Sequence, residues 1–287
     1  MTSANWPAPA KLNLFLHVLG RRADGYHELQ TAYQLIDLAD ELTYRLRDDG
    51  EIRRLEGPRS VPVEADLAMR AARSLQAAAN VRRGADILIR KRIPIQGGLG
   101  GGSSDAATTL IALNVLWDIH LPLGQLADMG RELGADVPLF IHGHSAWGEG
   151  IGDRLTPLAL PSHHYAVIFP GVGVSTAEVF QASELTRNSP SLTIRAFLQA
   201  GGRNDCAPVA TGRYPEVASA LAWLGRRGDA RVTGTGSCVF ADFAERAQAI
   251  AALSGLPAGW TGFAARGLDR SPLQERVAAE RARQGQG

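Results

Sequence analysis

The sequence predicts two domains of mixed strands and helices. The chain has 287 residues, which is long enough for a large core divided between two domains. Alternating apolar residues near the N-terminus indicate strand structure, and helical periodicity recurs further along the chain. The glycine-rich stretch over residues 148–152 indicates a hairpin or crossover. We therefore place the domain boundary just beyond it, giving domains at 1–155 and 156–287.

The first predicted element is a strand over residues 11–18, where apolar residues alternate with other types. This alternation places Lys11 and Asn13 side by side on one face. An exposed edge strand explains the pair as well as a functional site does. Tyr26 and His27 follow an Asp-Gly turn, and their rings could bind a nucleobase or a sugar or could be ordinary surface or core residues.

A glycine-rich loop between a strand and a helix is the most informative stretch. Alternating isoleucines over residues 87–93 indicate the strand, and five of the six residues over 97–102 are glycine. Apolar residues at helical spacing begin at Ala106. In such a loop consecutive N–H groups can converge on an anion, and the helix adds the positive end of its dipole. Phosphate is therefore the expected ligand.

The glycine cluster could also be a flexible linker or a plain turn. Ser103, Ser104 or Asp105 could cap the helix that follows, which favours the anion-binding interpretation. The loop lacks the Gly-Lys-Ser/Thr ending of a P-loop, and Leu99 breaks the spacing of a Rossmann loop. Any cationic group on the phosphates must therefore come from elsewhere in the chain.

Asp136 lies in a constrained turn between Gly134 and Pro138, just after a helix that we predict over residues 123–133. An acidic residue here is either a catalytic carboxylate or a cap for the next helical turn. The spacing alone favours the cap.

The remaining segments are assigned from the same periodicities. Before the glycine loop we expect strand structure over 29–46, a loop over 48–58 and a helix over 66–79. Beyond the boundary we expect a strand over 165–169, a short helix capped by Ser175 or Thr176, loop and short helix over 188–213, helices over 214–226 and 244–253, and a second glycine loop with an apolar strand over 231–240. Residues 273–287 are expected to fray.

Composition argues against several classes of protein. The formal net charge of +1 gives no reason to expect nucleic acid or a membrane surface as a partner. Cys206 and Cys238 make no disulfide framework and no metal-ligand set, so we expect both to be reduced and buried in a cytoplasmic protein. The N-terminus has no apolar signal core, and no uncharged apolar run reaches transmembrane length.

Six motifs between Pro9 and Phe240 resemble the GHMP superfamily of small-molecule kinases. They are PAKLNLFLHVLGRRADGYHEL, IPIQGGLGGGSSDAA, GADVPLF, VSTAEVF, NDCAPVA and TGTGSCVF. The glycine loop and TGTGS are typical of the whole superfamily, whereas PAKLNL and DGYHEL are similar to members that act on a cytidine diphosphate sugar alcohol. The resemblance implies a two-domain α+β GHMP kinase fold, with an N-terminal ribosomal-protein-S5-domain-2-like ATP-binding domain, a C-terminal ferredoxin-like α/β-sandwich domain and an active site in the cleft between them.

The resemblance also implies an activity and its cofactors. The expected reaction transfers a phosphoryl group from ATP to the 2-hydroxyl of a methylerythritol that carries a cytidine diphosphate group, in the non-mevalonate route to isoprenoids. Mg²⁺ is implied by the use of ATP, but no carboxylate pair in the sequence identifies its site, and Ser104 is a candidate ligand. The resemblance leaves a monomer and a homodimer both open.

The same resemblance assigns roles to individual residues. Asp136 would contact the attacking hydroxyl, with Lys11 beside it, and phosphoryl transfer gains mainly from such positioning and from charge stabilisation. The residues implied for the nucleotide are Asp66, Lys91, Pro94, Gly97, Gly98, Leu99, Gly100, Gly101, Gly102, Ser103 and Ser104. The residues implied for the acceptor substrate are Asn13, Tyr26, His27, Thr176 and Phe180, with the rings stacking on the cytosine and His27 hydrogen-bonding its edge.

Three positions depart from the family pattern. Asp66 stands where the family often has an asparagine near the adenine, Ala207 replaces a glutamate, and Ser237 replaces an alanine. Two alternative functions stay open, a GHMP kinase for homoserine, mevalonate or a sugar, and a nucleotide-binding module without catalysis. The pair Tyr26 and His27 argues against the first, because those substrates carry no base. Lys11 and Asp136 argue against the second, because phosphate binding alone needs neither.

Overall fold

The structure is a computed structural model that describes residues 2–284. Two long antiparallel strands form its frame. Strands β1 (Thr2–Arg21) and β2 (His27–Arg47) pair along almost their whole lengths. Strand β2 also pairs with β4 (Gly84–Arg90), β5 (Ala146–Gly150) and β10 (Thr261–Leu268). It is therefore the strand on which the rest of the sheet is assembled.

The remaining strands extend the sheet on both sides of β2. Strand β3 (Ile52–Glu56) runs parallel to β4, and β6 (Arg154–Pro157) pairs with β5. On the other side, β10 pairs with β7 (His164–Phe169), β7 with β9 (Val239–Phe243), and β9 with β8 (Arg231–Val232). The C-terminal strands join β2 only through the last residues of β10, where Gly267 and Leu268 face Ile36 and Leu35.

Helices cover the sheet and fill the space between its parts. They are α1 (Leu67–Ala78), α2 (Gly101–Leu116), α3 (Leu123–Leu133), α4 (Val137–His142), α5 (Thr176–Gln181), α6 (Ile194–Ala200), α7 (Ala207–Arg213), α8 (Pro215–Gly225), α9 (Arg246–Ala252) and α10 (Pro272–Gln284). Every residue of α2 from Ser104 to Leu116 is buried. Within the described part of the chain, no helix has the length and apolar character needed to cross a membrane.

Buried apolar side chains form separate clusters. The largest lies between α1–α4 and the strands β2 and β4, and a second lies between β7, β9 and the helices α5, α7, α8 and α9. A smaller cluster holds Leu99 of the glycine loop together with Cys238 and Phe240. Leu99 therefore anchors the middle of the glycine loop in an apolar core, while the glycines over residues 100–102 stay at least partly exposed.

Most of the predicted elements occur within a few residues of their expected bounds, but the structure corrects some of them. The segment 48–58 is not only a loop, because it contains β3 and gives β4 a second partner. The strand predicted over 87–93 ends at Arg90. Two interpretations were left open for Lys11 and Asn13, and the structure excludes the exposed edge strand, since the two residues are 4% and 2% exposed.

A further correction concerns the C-terminal segment. Residues 273–284 belong to α10 and do not fray, while 285–287 lie outside the described residues. Leu273 joins the largest apolar cluster, and Glu280 is buried, where it accepts a hydrogen bond from Ser3 at 3.1 Å and pairs with Arg276 at 2.7 Å. A chain end tied to β1 in this way is ordered by packing. The domain boundary near residue 155 stays a prediction.

Candidate active site

A cleft of about 630 Å³ brings most of the predicted site residues together. Its walls include the glycine loop, the middle of β1 around Lys11, Asp136, helix α5 and the second glycine loop at Gly234. Among the predicted residues, Ser104, Tyr26 and His27 do not line it. Ser104 is fully buried behind the helix start. The cleft is large enough for a nucleotide-sized ligand.

The glycine loop is held in place by backbone contacts. The N–H of Lys11 donates to the carbonyl of Leu99 at 3.0 Å, and the N–H of Cys238 donates to the carbonyl of Gly97 at 3.0 Å. Gly98 has a φ of 76°, and a Cβ there would lie 2.4 Å from the carbonyl oxygen of Thr233. Only glycine permits this conformation and this close approach between the two glycine loops. The loop is therefore a defined structure and not a flexible linker.

Helix α2 begins directly after the loop and is not capped by a side chain. Its N-cap residue is Gly100, with a φ of 73°, and no side chain accepts a hydrogen bond from the first turn. The prediction that Ser103, Ser104 or Asp105 caps the helix is wrong, because all three already lie inside it. The first N–H groups of an α-helix have no partner within the helix. The start of α2 therefore presents free donors and a positive dipole end to the cleft, which is suited to phosphate.

Lys11, Asn13 and Asp136 meet on the floor of the cleft. Lys11 Nζ lies 2.5 Å from Asn13 Oδ1 and 3.3 Å from Asp136 Oδ2. Asn13 is fixed in turn, because its Nδ2 donates to Thr31 Oγ1 at 2.9 Å. Although Asp136 precedes α4 at the N-cap position, its side chain makes no capping hydrogen bond. The cap interpretation that the spacing favoured is therefore wrong, and the carboxylate is directed towards Lys11.

Tyr33 is a further contact of the carboxylate. Its hydroxyl oxygen lies 3.3 Å from Asp136 Oδ1 and 3.3 Å from the carbonyl oxygen of Gly152, so its single hydrogen is directed between these two acceptors. Burial and the neighbouring carboxylate of Asp136 raise the pKa of Tyr33 well above its usual value. The hydroxyl therefore stays protonated and remains a donor to Asp136. Asp136 is thus oriented from two sides, by the ammonium of Lys11 and by this hydroxyl.

Lys91 lies beside the start of α2 in a network of charges. Its Nζ contacts Asp40 Oδ2 at 2.5 Å and Asp105 Oδ2 at 2.7 Å. Burial acts to lower the pKa of Lys91, but the two carboxylates outweigh it and raise that pKa. Asp40 also accepts from the N–H groups of Arg92 and Ile93, at 2.5 and 2.8 Å.

Asp105 is the less stabilised carboxylate of this network. Its Oδ1 is buried and has no hydrogen-bond partner among residues 2–284. Burial raises the pKa of Asp105 to about 8, against the opposing effect of Lys91. The positive charge of Lys91 is therefore shared between the fully hydrogen-bonded carboxylate of Asp40 and the carboxyl group of Asp105, which tends to keep its proton.

The predicted base-binding residues are brought together only in part. The rings of His27 and Phe180 stack on each other, with centroids 5.2 Å apart and an angle of 25° between their planes. Phe180 lines the cleft, whereas His27 stacks on it without itself lining the cleft. Tyr26 is 61% exposed in the turn between β1 and β2 and does not reach the cleft.

Asp66 and Thr176 both lie on the cleft wall, and their polar side-chain atoms are already hydrogen-bonded or paired within the protein. Asp66 caps α1 by accepting from the N–H of Ala68 at 3.0 Å, and it pairs with Arg54 at 2.7 Å. Thr176 Oγ1 lies 3.1 Å from Thr235 Oγ1 of the second glycine loop. The helix that begins at Thr176 is capped by Ser175, whose hydroxyl accepts from the N–H of Glu178 at 3.4 Å.

Comparison with known families agrees with this geometry. The sequence pattern of the GHMP kinases N terminal domain matches residues 66–144, and that of the GHMP kinases C terminal domain matches residues 184–261. The chain belongs to the GHMP kinase family. The predicted two-domain GHMP kinase fold is thereby confirmed.

Individual GHMP kinases are similar over almost the whole chain. The 4-diphosphocytidyl-2-C-methyl-D-erythritol kinase of Alkalilimnicola ehrlichii is 56% identical, across 97% of this chain and 96% of its own length. That of Halorhodospira halophila is 54% identical, across 98% of each chain. A crystal structure of 4-(cytidine 5'-diphospho)-2C-methyl-D-erythritol kinase is 36% identical, with a TM-score of 0.80 over 93% of this chain and 99% of that one.

Several residues of this GHMP kinase site were missed from the sequence. Tyr33, Asp40 and Asp105 contact Asp136 or Lys91, but none was predicted as a site residue. Asp105 lies inside the glycine-loop motif itself, so its position offered a signal. Tyr33 and Asp40 lie along β2, and only the pairing of β2 with its neighbours brings Tyr33 to the cleft and Asp40 to Lys91. No sequence spacing shows that pairing.

Among the described residues of the GHMP kinase, no preformed metal cage is present. Within residues 2–284, no three His, Cys, Asp or Glu side chains come together in a way that could hold a metal ion. Ser104, the candidate ligand, has a buried hydroxyl without a partner, but this hydroxyl does not face the cleft. Asp136 and Asp105 are each paired with a lysine. The described side chains therefore offer no preformed site for Mg²⁺.

Proposed function

We propose that the chain is an ATP-dependent kinase that phosphorylates the 2-hydroxyl of 4-diphosphocytidyl-2-C-methyl-D-erythritol. The observation that carries the proposal is the pair Lys11 and Asp136 at 3.3 Å, in the same cleft as the uncapped start of α2. Phosphate binding alone requires only the helix start. The buried lysine and the carboxylate would in addition allow a phosphoryl group to be transferred to a second molecule.

The nucleotide is expected to place its phosphates at the first turn of α2. The free N–H groups there would bind the phosphate oxygens, and the glycine loop would let the ligand approach the backbone. Because the side chains of residues 2–284 offer no preformed metal site, Mg²⁺ would be held chiefly by the phosphates and by water, as is common for this ion. Lys91 borders the cleft nearby, with its charge shared between two carboxylates.

The acceptor hydroxyl is expected to meet Asp136. The carboxylate would orient the hydroxyl towards the γ-phosphorus and accept its proton, and Lys11 would offset the negative charge on the transferred group. Tyr33 and Asn13 would keep these two groups in position through the contacts described above. The identity of the acceptor is supported by the names of the relatives and by the aromatic pair His27 and Phe180 beside the cleft. We expect a cytoplasmic enzyme, either a monomer or a homodimer.

A coupled assay of ADP release across several acceptors tests the proposal. We expect turnover with the cytidylyl substrate and background rates with homoserine, mevalonate and galactose. Turnover with one of the other acceptors instead would identify a different GHMP kinase. If the protein binds the nucleotide but turns over none of the acceptors, the proposal is contradicted and a non-catalytic nucleotide-binding module is the interpretation that remains.

A further inference from the structure

Arg187 joins the two rings that border the cleft, although none of the six motifs includes it. Its Nε–H donates to His27 Nε2 at 3.0 Å. Its two terminal nitrogens donate to the carbonyls of Phe180, Ala182 and Leu185, at distances between 2.7 and 3.1 Å. The last carbonyls of a helix have no partner within it, so Arg187 fixes the end of α5 and the His27 ring with one planar group.

This contact determines which nitrogen of His27 carries the proton. To accept a hydrogen bond from Arg187, Nε2 must be unprotonated, so the neutral ring carries its hydrogen on Nδ1. Burial, together with the nearby charges of Arg187 and Arg21, lowers the pKa of His27 and keeps the ring neutral. Among residues 2–284, no atom is hydrogen-bonded to Nδ1. The ring therefore has one free donor, and its direction is set by Arg187.

We propose that Arg187 makes His27 a fixed hydrogen-bond donor that recognises cytosine and rejects uracil. N3 of cytosine is an acceptor, whereas N3 of uracil carries a hydrogen, so a fixed Nδ1–H pairs with the first and opposes the second. The ring lies against Phe180, which lines the cleft and can support the base. The proposal rests on the proposed function, because the base belongs to the acceptor named there. Arg187 is a positioning residue, since it acts through His27.

Base discrimination provides the first test. Binding of cytidine 5'-diphosphate and uridine 5'-diphosphate is measured by titration, with a non-hydrolysable ATP analogue saturating the nucleotide site. We expect the wild-type protein to prefer the cytidine ligand and Arg187→Ala to lose about tenfold or more of that preference. Arg187→Gln, which retains an N–H donor, should recover part of it. Arg213→Ala is the matched control, because Arg213 pairs with Glu184 on the same surface at 2.7 Å and does not touch His27.

The ratio of the two affinities separates positioning from a structural role. If Arg187 only stabilises the end of α5, Arg187→Ala weakens both ligands by the same factor, and the proposal is overturned. Equal binding of both ligands by the wild-type protein overturns it as well. Neither result depends on turnover. A failure of the proposed function would appear separately, in the ADP-release assay.

Nitrogen NMR of the labelled histidines provides the second test. We expect the His27 ring of the wild-type protein to be protonated at Nδ1, and that of Arg187→Ala to shift towards the Nε2–H form that free histidine favours. The pKa of His27 should also rise in Arg187→Ala, because a neighbouring positive charge is removed. An Nε2–H ring in the wild-type protein would contradict the inference directly, whatever the substrate is.

Discussion

The ammonium group of Lys11 lies 3.3 Å from the carboxylate of Asp136, and both side chains border the cleft at the start of α2. The two residues are far apart in sequence and belong to β1 and to the turn before α4. The lysine is 5% exposed and the carboxylate 28%, so the acid is the member of the pair that an incoming hydroxyl can reach. From this difference we expect Asp136 to contact the acceptor and Lys11 to supply the supporting charge.

Replacing Asp136 by asparagine should nearly abolish phosphoryl transfer while ATP still binds. The amide keeps the shape of the side chain but cannot accept the proton, and positioned groups of this kind contribute roughly 10²–10⁴ in rate. ADP release gives the turnover, and a nucleotide titration gives the affinity. Asp128→Asn is the control, because Asp128 is an exposed partner of Arg131 at the surface. Turnover close to normal would remove Asp136 from the mechanism.

The positions of the helices could be predicted from the sequence because their signals are local. Apolar spacing placed α1, α3 and α9 within a few residues, since one buried face is enough to define each of them. Strand β3, over residues 52–56, was missed because polar residues dominate its sequence. Only its pairing with β4 identifies it as a strand. Helix α10 was missed for a similar reason, since its order depends on contacts with β1 and α2.

The site shows the same division between local and long-range information. The glycine loop could be located because its composition is itself the signal, and Asp136 was noticed because of its neighbouring glycine and proline. The contacts of Lys11 with Asp136 and of Arg187 with His27 join segments 125 and 160 positions apart. Such contacts depend on the packing of whole elements. Burial of Lys11 in particular requires β2 beside β1, which no spacing within 11–18 reveals.

Replacing Gly100 by alanine should destabilise the protein and weaken ATP binding. Its φ of 73° costs an L-residue roughly 1–2 kcal/mol, and the added Cβ would lie 2.9 Å from Phe140 Cζ and 3.1 Å from Lys11 Cε. Gly102→Ala is the matched control, because its Cβ would meet Leu67 Cδ1 at an ordinary 3.8 Å. Urea unfolding measures the free energy of unfolding of the Gly100→Ala and Gly102→Ala variants. If the two variants are equally stable, the left-handed conformation at Gly100 is not required.

Asp105 should make the stability of the protein depend on pH. Burial raises its folded-state pKa from 3.8 to about 8, so its contribution is complete below about pH 4 and is lost as the pH rises towards about 8. One proton gives a slope of at most about 1.4 kcal/mol per pH unit. Asp105→Asn, which is neutral at every pH, should lower this slope in urea unfolding measured across the range, and Asp128→Asn should not. An unchanged slope would show that Asp105 is ionised throughout.

Replacing Phe180 by alanine should weaken the acceptor substrate and leave ATP almost unaffected. Phe180 lies on the cleft wall, and its ring is held in place by stacking on His27 with centroids 5.2 Å apart, so a base can stack on the part of the ring that His27 leaves open. Stacking of a base on an aromatic ring is worth roughly 1–3 kcal/mol, which raises the KM for the cytidylyl substrate by roughly five- to a hundredfold. Both KM values are measured in the ADP-release assay.

Leu198→Ala is the control for Phe180→Ala, because Leu198 is an exposed apolar residue that does not line the cleft. A rise in the KM for ATP with a constant KM for the acceptor would place Phe180 at the nucleotide instead. Tyr26→Ala separates two modes of base binding, since Tyr26 is 61% exposed and must move to contact a base on Phe180. An effect equal to that of Phe180→Ala would show that the turn between β1 and β2 closes over the substrate. A KM that stays constant in Tyr26→Ala would leave Phe180 as the stacking surface and remove Tyr26 from the site.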